Sequence, residues 1–327
     1  MKERQLGTLT VSSLGLGCMG FSHAYGAAMN EDEAISCIRQ AYDQGYRFFD
    51  TAACYQGITE EGKVSYNEVL VGQALHDVRD KVVIATKFGV TLDGHTIFTD
   101  SSPIAIRHAV EDSLKKLGID RIDLYYQHRI DPKVEPEVVA EEMAKLIEEG
   151  LISHWGISET TEEYLRRAHR ICPVTAVQNR YSMMARWHES LFPVLEELNV
   201  GFVAFSPLAN GFLTGQATVA GTFAKGDYRN QMPQYEAQNI QAAQDLFTMM
   251  ATLSQQKGVT DSQLALAWML AKKPWIVPIP GSRRLERIIE NAKATEVILS
   301  DDEVVAIDTA LSAVDIPVFG GHTVASR

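Results

Sequence analysis

The chain repeats one unit. A short apolar run with strand-like composition is followed by a stretch with helical spacing, often closed by glycine. The apolar runs fall at residues 14–17, 47–50, 82–86, 122–126, 152–157, 175–178, 201–205 and 275–279. Helical stretches follow at 30–45, 67–75, 103–117, 138–149, 161–171 and 190–198, then through residue 270, then at 285–294. The first is representative. Ala34, Ile35, Ile38, Ala41 and Tyr42 recur at helical spacing, Asn30 and Glu33 resemble a capping box, and Gly45 ends the run. Strands separated by helices pair in parallel through crossovers. Eight such units predict an α/β protein built as a closed (β/α)8 TIM barrel. The competing fold, an open doubly wound sheet, should carry G-x-G-x-x-G after its first strand. Gly15, Gly17 and Gly20 fit that pattern formally, but they begin inside the apolar run and the next helix waits until Asn30.

Four segments exceed the barrel. Residues 4–12 alternate around Gly7 and Thr8 and predict an N-terminal hairpin that closes the barrel bottom. Residues 56–65 are polar, residues 207–238 are rich in Gly, Ala and Gln, and both predict long loops at the catalytic face. Residues 300–314 predict an extra C-terminal helix with Ser300 as N-cap and Glu303 three positions on, trailed by a tail to Arg327. The chain has 327 residues. A barrel takes about 250, more with insertions, so a single domain over 1–327 is expected.

The net charge of -12 argues against nucleic acid or an anionic membrane as partner. Cys18, Cys37, Cys54 and Cys172 form no C-x-x-C pair, and no His/Cys cluster has zinc-ligand spacing, so no metal is expected. No signal-like apolar core opens the chain and no run approaches about 18 apolar residues, which points to a reducing cytoplasm. Oligomeric state is not legible. Cys54, beside Tyr55, is either a redox-sensitive thiol or a small filler.

Polar residues stand at the exits of three predicted strands. Asp50 ends the second, Tyr55 follows five positions later, Lys87 ends the third and His128 follows the fourth. Strands side by side in one barrel would bring all four to its C-terminal rim, where barrel enzymes hold their chemistry. A tyrosine beside an ammonium is an acid whose pKa can be tuned, as carbonyl reduction requires.

The stretches FFDTAACY, VIATKFG, RIDLYYQHR, WGISE, VQNRYS, VAFSPLANGFLTG and IPGSRRLERIIEN together resemble the aldo-keto reductase superfamily over nearly the whole chain. The Ser-Pro-Leu stretch, Asp227–Arg229 and the Gly-Ser of IPGS are similar to its bacterial and plant branch. The resemblance implies reduction of a small-molecule aldehyde or ketone by hydride transfer from NADPH (NADP+). It implies Tyr55 as general acid, Lys87 and Asp50 as its tuning pair, and His128 as a substrate-orienting donor. It places Ser158 and Gln178 on the nicotinamide amide and Phe205 under the ring, where some branches have Tyr. Glu159 stands where many relatives have Asn. It also implies Ser206, Leu208, Gly211 and Leu213 along the pyrophosphate, and Gly17, Cys18 and Met19 near the ribose. Gly281, Ser282, Arg283, Arg287, Glu290 and Asn291 would lie at the adenosine end.

Arg283, Arg284 and Arg287 either form a basic patch for a 2′-phosphate or pair with Glu286 and Glu290 at a solvated helix start. Phe21, Tyr25, Phe88, Trp187 and Phe212 are the expected substrate-pocket residues. Two other functions compete. One is a regulatory barrel that binds NADPH and senses redox state with little turnover. The other is a lyase using Lys87 as a Schiff base, which Asp50 opposes by keeping Lys87 charged.

Overall fold

A computed structural model describes residues 1–93, 96–215 and 222–319. The N-terminal hairpin pairs β1 (Glu3–Leu6) with β2 (Leu9–Ser12). Gly7 supplies the positive φ of 57° that its turn needs. Eight parallel strands follow: β3 (Leu16–Gly17), β4 (Phe48–Asp50), β7 (Val83–Phe88), β10 (Ile122–Gln127), β11 (Ile152–Ser158), β12 (Ala176–Arg180), β13 (Gly201–Phe205) and β14 (Ile276–Pro278). They lie side by side in chain order. The edges meet where Gly15 donates to Pro278 O at 2.9 Å and Gly17 donates to Pro280 O at 3.2 Å. The fold is the expected (β/α)8 barrel.

Strand alternation sorts side chains into two cores. Phe48, Ala85, Leu124, Tyr126, Ala176, Val203 and Val277 fill the barrel, and Leu6, Leu9 and Val11 of the hairpin pack against them from below. A Cβ on Gly201 would lie 2.4 Å from Leu6 Cδ2, so a glycine there lets the plug seat. Phe49, Ile84, Tyr125, Val177, Phe202 and Ile276 instead face the helices.

The helices are α1 (Glu31–Asp43), α2 (Asn67–Leu75), α3 (Pro103–Leu117), α4 (Pro136–Glu148), α5 (Glu162–Ile171), α6 (Phe192–Leu198), α7 (Ala237–Ala242), α8 (Gln244–Lys257), α9 (Asp261–Lys272), α10 (Leu285–Ala292) and α11 (Asp301–Ser312). Local chemistry sets their ends. Asn30 accepts from Glu33 N at the start of α1, and Ser102 with Pro103 starts α3. Ser300 and Glu303 form a full capping box on α11. None of the described helices is long and apolar enough to cross a membrane.

Two differences from the sequence reading stand out. The polar segment after β4 is a hairpin, β5 (Gln56–Ile58) with β6 (Val64–Tyr66), and a second hairpin, β8 (Val90–Asp93) with β9 (Thr96–Thr99), follows β7. The helix expected at 190–198 is split. Trp187–Leu191 is 3-10 and α6 restarts at Phe192, because Pro193 in its first turn has no N–H to give to a preceding turn. The tail beyond Phe319 lies outside the described residues.

Candidate active site

Register brings the charged pair together. Asp50 is level with Ala85, one inward position below Lys87 on the neighbouring strand. Lys87 is 1% exposed. Its Nζ donates to Asp50 Oδ1 at 2.5 Å and to Thr51 O at 2.7 Å. Gln178 Nε2 donates to Asp50 Oδ2 at 2.7 Å, so the carboxylate is held from two sides. Burial alone would lower the Lys87 ammonium, but Asp50 and Tyr55 outweigh it and hold Lys87 above its ordinary value.

Tyr55 follows on the loop after β4. Lys87 Nζ lies 5.0 Å from its ring centre. The ring stacks on His23 at 5.9 Å and meets His128 edge-on at 5.6 Å. The peptide behind it is fixed: Tyr55 O accepts from Asn67 N at 2.9 Å and from Ser22 Oγ at 3.2 Å. Asn67, the first residue of α2, also accepts from Thr51 Oγ1 and donates to Cys18 O and Ser22 Oγ.

His128 is tied at its backbone N–H to Phe88 O. Burial first, then the charges of Arg129, Lys87 and His23, hold its pKa well below the usual histidine range, so the ring is neutral. Cys54 Sγ lies 3.5 Å from His128 Nδ1. Burial pushes the Cys54 thiol up to about 11, so it carries a proton to donate. A neutral ring that accepts at Nδ1 keeps its own proton on Nε2. This reads Cys54 as a hydrogen-bonding thiol rather than a reactive thiolate.

The tyrosine itself departs from expectation. Burial pushes Tyr55 up to about 12 although Lys87 pulls it down, with Asp50 and Cys54 opposing Lys87 and Arg129 assisting it. The ammonium moderates the rise and does not reverse it.

The residues implied for a dinucleotide come from β3, β11, β12, β13 and β14 and from the segments that follow them. Ser158 Oγ accepts from Arg129 Nη1 at 3.2 Å, and Gln178 is engaged with Asp50. Glu159 takes a left-handed φ of 55° and its carboxylate accepts Arg180 N at 3.0 Å. Phe205 is half-buried, with the Arg180 guanidinium 5.0 Å over its ring. Ser206, Ala209 and Asn210 all have left-handed φ, which winds the loop tightly after β13. Gly211 N donates to Leu208 O, as does Leu213 N, and the Leu213 side chain is fully buried in the outer core. Cys18 is also fully buried, with its N–H on Asp50 O, while Met19 is partly exposed. Ser282 Oγ accepts Arg284 N at 3.0 Å, and Asn291 is buried in α10.

The three arginines do not form one patch. Arg284 pairs with Glu286 at 2.7 Å and Arg287 with Glu290 at 2.7 Å. Glu290 also accepts from Thr260 Oγ1. Arg283 reaches back to Gly20 O and Ala27 O. Its Nη2 is buried without a partner among the described residues. Beside it, a Cβ on Gly281 would lie 2.4 Å from Gly17 O, so two backbones meet there side by side. An orphaned guanidinium N–H next to a cleared backbone fits a phosphate-bearing dinucleotide.

The expected pocket residues divide. Phe21, Phe88 and Phe212 are fully buried. Phe88 faces outward onto Tyr125 at 4.9 Å, and Phe212 packs on Tyr235 and Phe247. Only Tyr25 and Trp187 are partly exposed, and Tyr25 Oη meets Tyr228 Oη at 3.3 Å. Sequence reading missed Asn67, Arg129, Arg180 and Asn210. Arg129 and Arg180 carried a signal, since each stands at or just past a strand exit like Asp50 and Lys87.

Residues 13–312 match the model of the aldo/keto reductase family. The chain belongs to the aldo-keto reductase family. It is 37% identical over 317 residues to probable aldo-keto reductase 1 of Glycine max, covering 95% of this chain and 89% of that one. Among solved structures, the glycerol dehydrogenase of Gluconobacter oxydans superposes with a TM-score of 0.84 at 27% identity, covering 95% of both chains. The holo form of an aldo-keto reductase from Bacillus halodurans does so with a TM-score of 0.75 at 26% identity, covering 98% of this chain and 99% of that one. Membership makes this aldo-keto reductase an oxidoreductase acting on carbonyl compounds, in a family that generally binds NAD(P)H.

Proposed function

We propose that the protein reduces aldehyde and ketone carbonyls to alcohols with NADPH, with Tyr55 as general acid. One observation carries this reading: a fully buried Lys87, neutralised by Asp50, sits 5.0 Å from the ring of Tyr55, which in turn touches a neutral His128. When bound, NADPH supplies the hydride. The buried Arg283 Nη2, the glycine pair Gly17 and Gly281, and the tight loop from Ser206 to Leu213 are the residues that would hold it. Phe205 offers the aromatic face and Ser158 the hydroxyl for the nicotinamide end.

The remaining work falls to the chain's own groups. Tyr55 stays protonated through neutral pH, so it can place its O–H on the carbonyl oxygen and give up that proton as charge develops there. With Cys54 donating to Nδ1, the His128 proton sits on Nε2 and would give a second donor for the same oxygen. Lys87 then stabilises the phenolate left behind, and Asp50 with Gln178 keeps Lys87 charged and in place. The name of the Gluconobacter relative, glycerol dehydrogenase, supports alcohol–carbonyl interconversion as the chemistry. The test is repeated turnover of NADPH with an aromatic aldehyde, followed by absorbance. Sustained consumption with a matching yield of alcohol is expected. Tight NADPH binding without turnover across a panel of aldehydes would leave a binding protein instead.

A further inference from the structure

Among the described residues, two cations at the barrel mouth, Arg180 and Arg129, form no ion pair. Arg180 ends β12 and is 8% exposed. Among the described residues its side chain makes one hydrogen bond, Nη1 to Asn210 Oδ1 at 3.1 Å, and lies over the rings of Phe205 and Phe319. Glu159, the carboxylate that acts on it electrostatically, accepts its backbone N–H and forms no ion pair with its guanidinium. Arg129 follows His128 and, among the described residues, donates only to His128 O and Ser158 Oγ. Its charge reaches Tyr55 and His128, and it acts on Arg180 as well. Arg229 at the same mouth shows the usual arrangement, with Asp227 at 2.6 Å.

A buried guanidinium ordinarily has a carboxylate or a set of carbonyls to offset its desolvation. Arg4 has such a set, three backbone carbonyls. Arg180 has one amide oxygen and two aromatic faces. Its position is also held: Asn210, its partner, is bound to Tyr25 and Tyr228 through Nδ2. Tyr228 is in turn within electrostatic reach of Tyr55. The two cations therefore stand at the exits of neighbouring strands, Arg180 at the end of β12 and Arg129 against Ser158 at the end of β11, and the Lys87 charge is already paired with Asp50.

From this placement we propose that the carbonyl substrate carries an anionic oxygen group, carboxylate or phosphate monoester, bound by Arg180 with Arg129. The proposal rests on the carbonyl-reductase reading above. An anion between the two guanidiniums would complete the hydrogen bonding of Arg180 and relieve the repulsion between the cations. It would also set the distance from the charged end of the substrate to the carbonyl at Tyr55, a means of orientation that neutral aldehydes lack.

The test uses matched substrate pairs with the full chain. Succinic semialdehyde is compared with its methyl ester, and glyceraldehyde 3-phosphate with glyceraldehyde. In the unaltered protein, kcat/KM should favour the anion in one of the pairs by about ten- to a hundredfold, the range of a charge-assisted contact. The favoured pair names the group. Arg180→Gln should bring that ratio towards one while NADPH affinity, read by fluorescence titration, stays within about twofold. Arg180→Lys, which keeps the cation, should retain part of the preference and shows that the position tolerates replacement. A ratio near one in both pairs, or a ratio that survives Arg180→Gln, overturns the proposal. So does a parallel fall in NADPH affinity, which would assign Arg180 to the cofactor. Calorimetry separates this from the parent reading. If no aldehyde is turned over, carbonyl reduction fails, and binding of 4-hydroxybutyrate or glycerol 3-phosphate that is lost in Arg180→Gln still upholds the anion site. Absence of binding for both overturns it.

Discussion

Lys87→Met removes the charge beneath Tyr55 while keeping much of its volume. Lys87 Nζ lies 5.0 Å from the Tyr55 ring centre. At an effective dielectric of about 20, a unit charge at that range stabilises phenolate by about 3 kcal/mol, or about two pH units on the Tyr55 titration. Tyr55 stands at about 12 with the ammonium present, so the variant should move it higher still. The effect is clearest in the oxidation of an alcohol with NADP+, where Tyr55 must accept a proton as phenolate. Below pH of about 12 the phenolate fraction at fixed pH falls by the same factor as the equilibrium constant, so the oxidation rate should drop about a hundredfold. Its rise with pH should persist across the assay range.

A second consequence is structural. Without Lys87, Asp50 keeps Gln178 as its one side-chain partner among the described residues, and breaking a buried pair on one side costs about 3–5 kcal/mol. The double variant Asp50→Asn/Lys87→Met should regain thermal stability without regaining rate, separating folding from chemistry. The assay is initial rates from about pH 7 to 10, alongside a melting curve. An unchanged oxidation rate in Lys87→Met, with the protein folded, would refute the electrostatic role.

Three further outcomes are expected. Because His128 titrates well below the usual histidine range, kcat/KM for reduction should stay flat down through about pH 6, and a limb near the ordinary value of about 6.5 would show that the ring is charged. Arg287→Ala should weaken NADPH by about tenfold and leave NADH nearly unchanged if the guanidinium leaves Glu290 for a 2′-phosphate; equal losses, read by fluorescence titration, would restrict Arg287 to its pair with Glu290. Asn67→Ala should lower kcat more than it raises the NADPH Kd and lower the melting temperature, since it unties Thr51, Cys18 and Ser22 around the Tyr55 loop; a change in stability alone would make Asn67 a packing residue.

The barrel was legible because its strands are apolar runs that stop at polar residues. Asp50 and Lys87 mark the exits of β4 and β7, and parallel pairing then had to bring them to one rim. The hairpins after β4 and β7 were not legible. Their residues are largely exposed, so no buried face imposes an apolar alternation on the sequence. The start of α4 at Pro136, two residues before the expected 138, was written in the proline itself, which suits a first helical turn. What sequence could not settle was direction in space. Arg283, Arg284 and Arg287 are adjacent in the chain, yet each takes a different partner, and those partners include Gly20 and Ala27 from a distant loop. The Tyr55 titration was misjudged for a related reason. The neighbouring ammonium could be read from the motif, but the burial that outweighs it depends on His23 and the loops around it.

The central claim is that the Tyr55 hydroxyl delivers the proton. The most direct measurement is a single turnover of preloaded NADPH with an aromatic aldehyde in Tyr55→Phe, which deletes one oxygen and leaves the ring between His23 and His128. The account predicts unchanged NADPH affinity and a rate lowered by about a hundredfold or more, the size of a lost general acid. Reduction at a near-normal rate would contradict it and would move the proton donor to another group, such as His128 beside the ring.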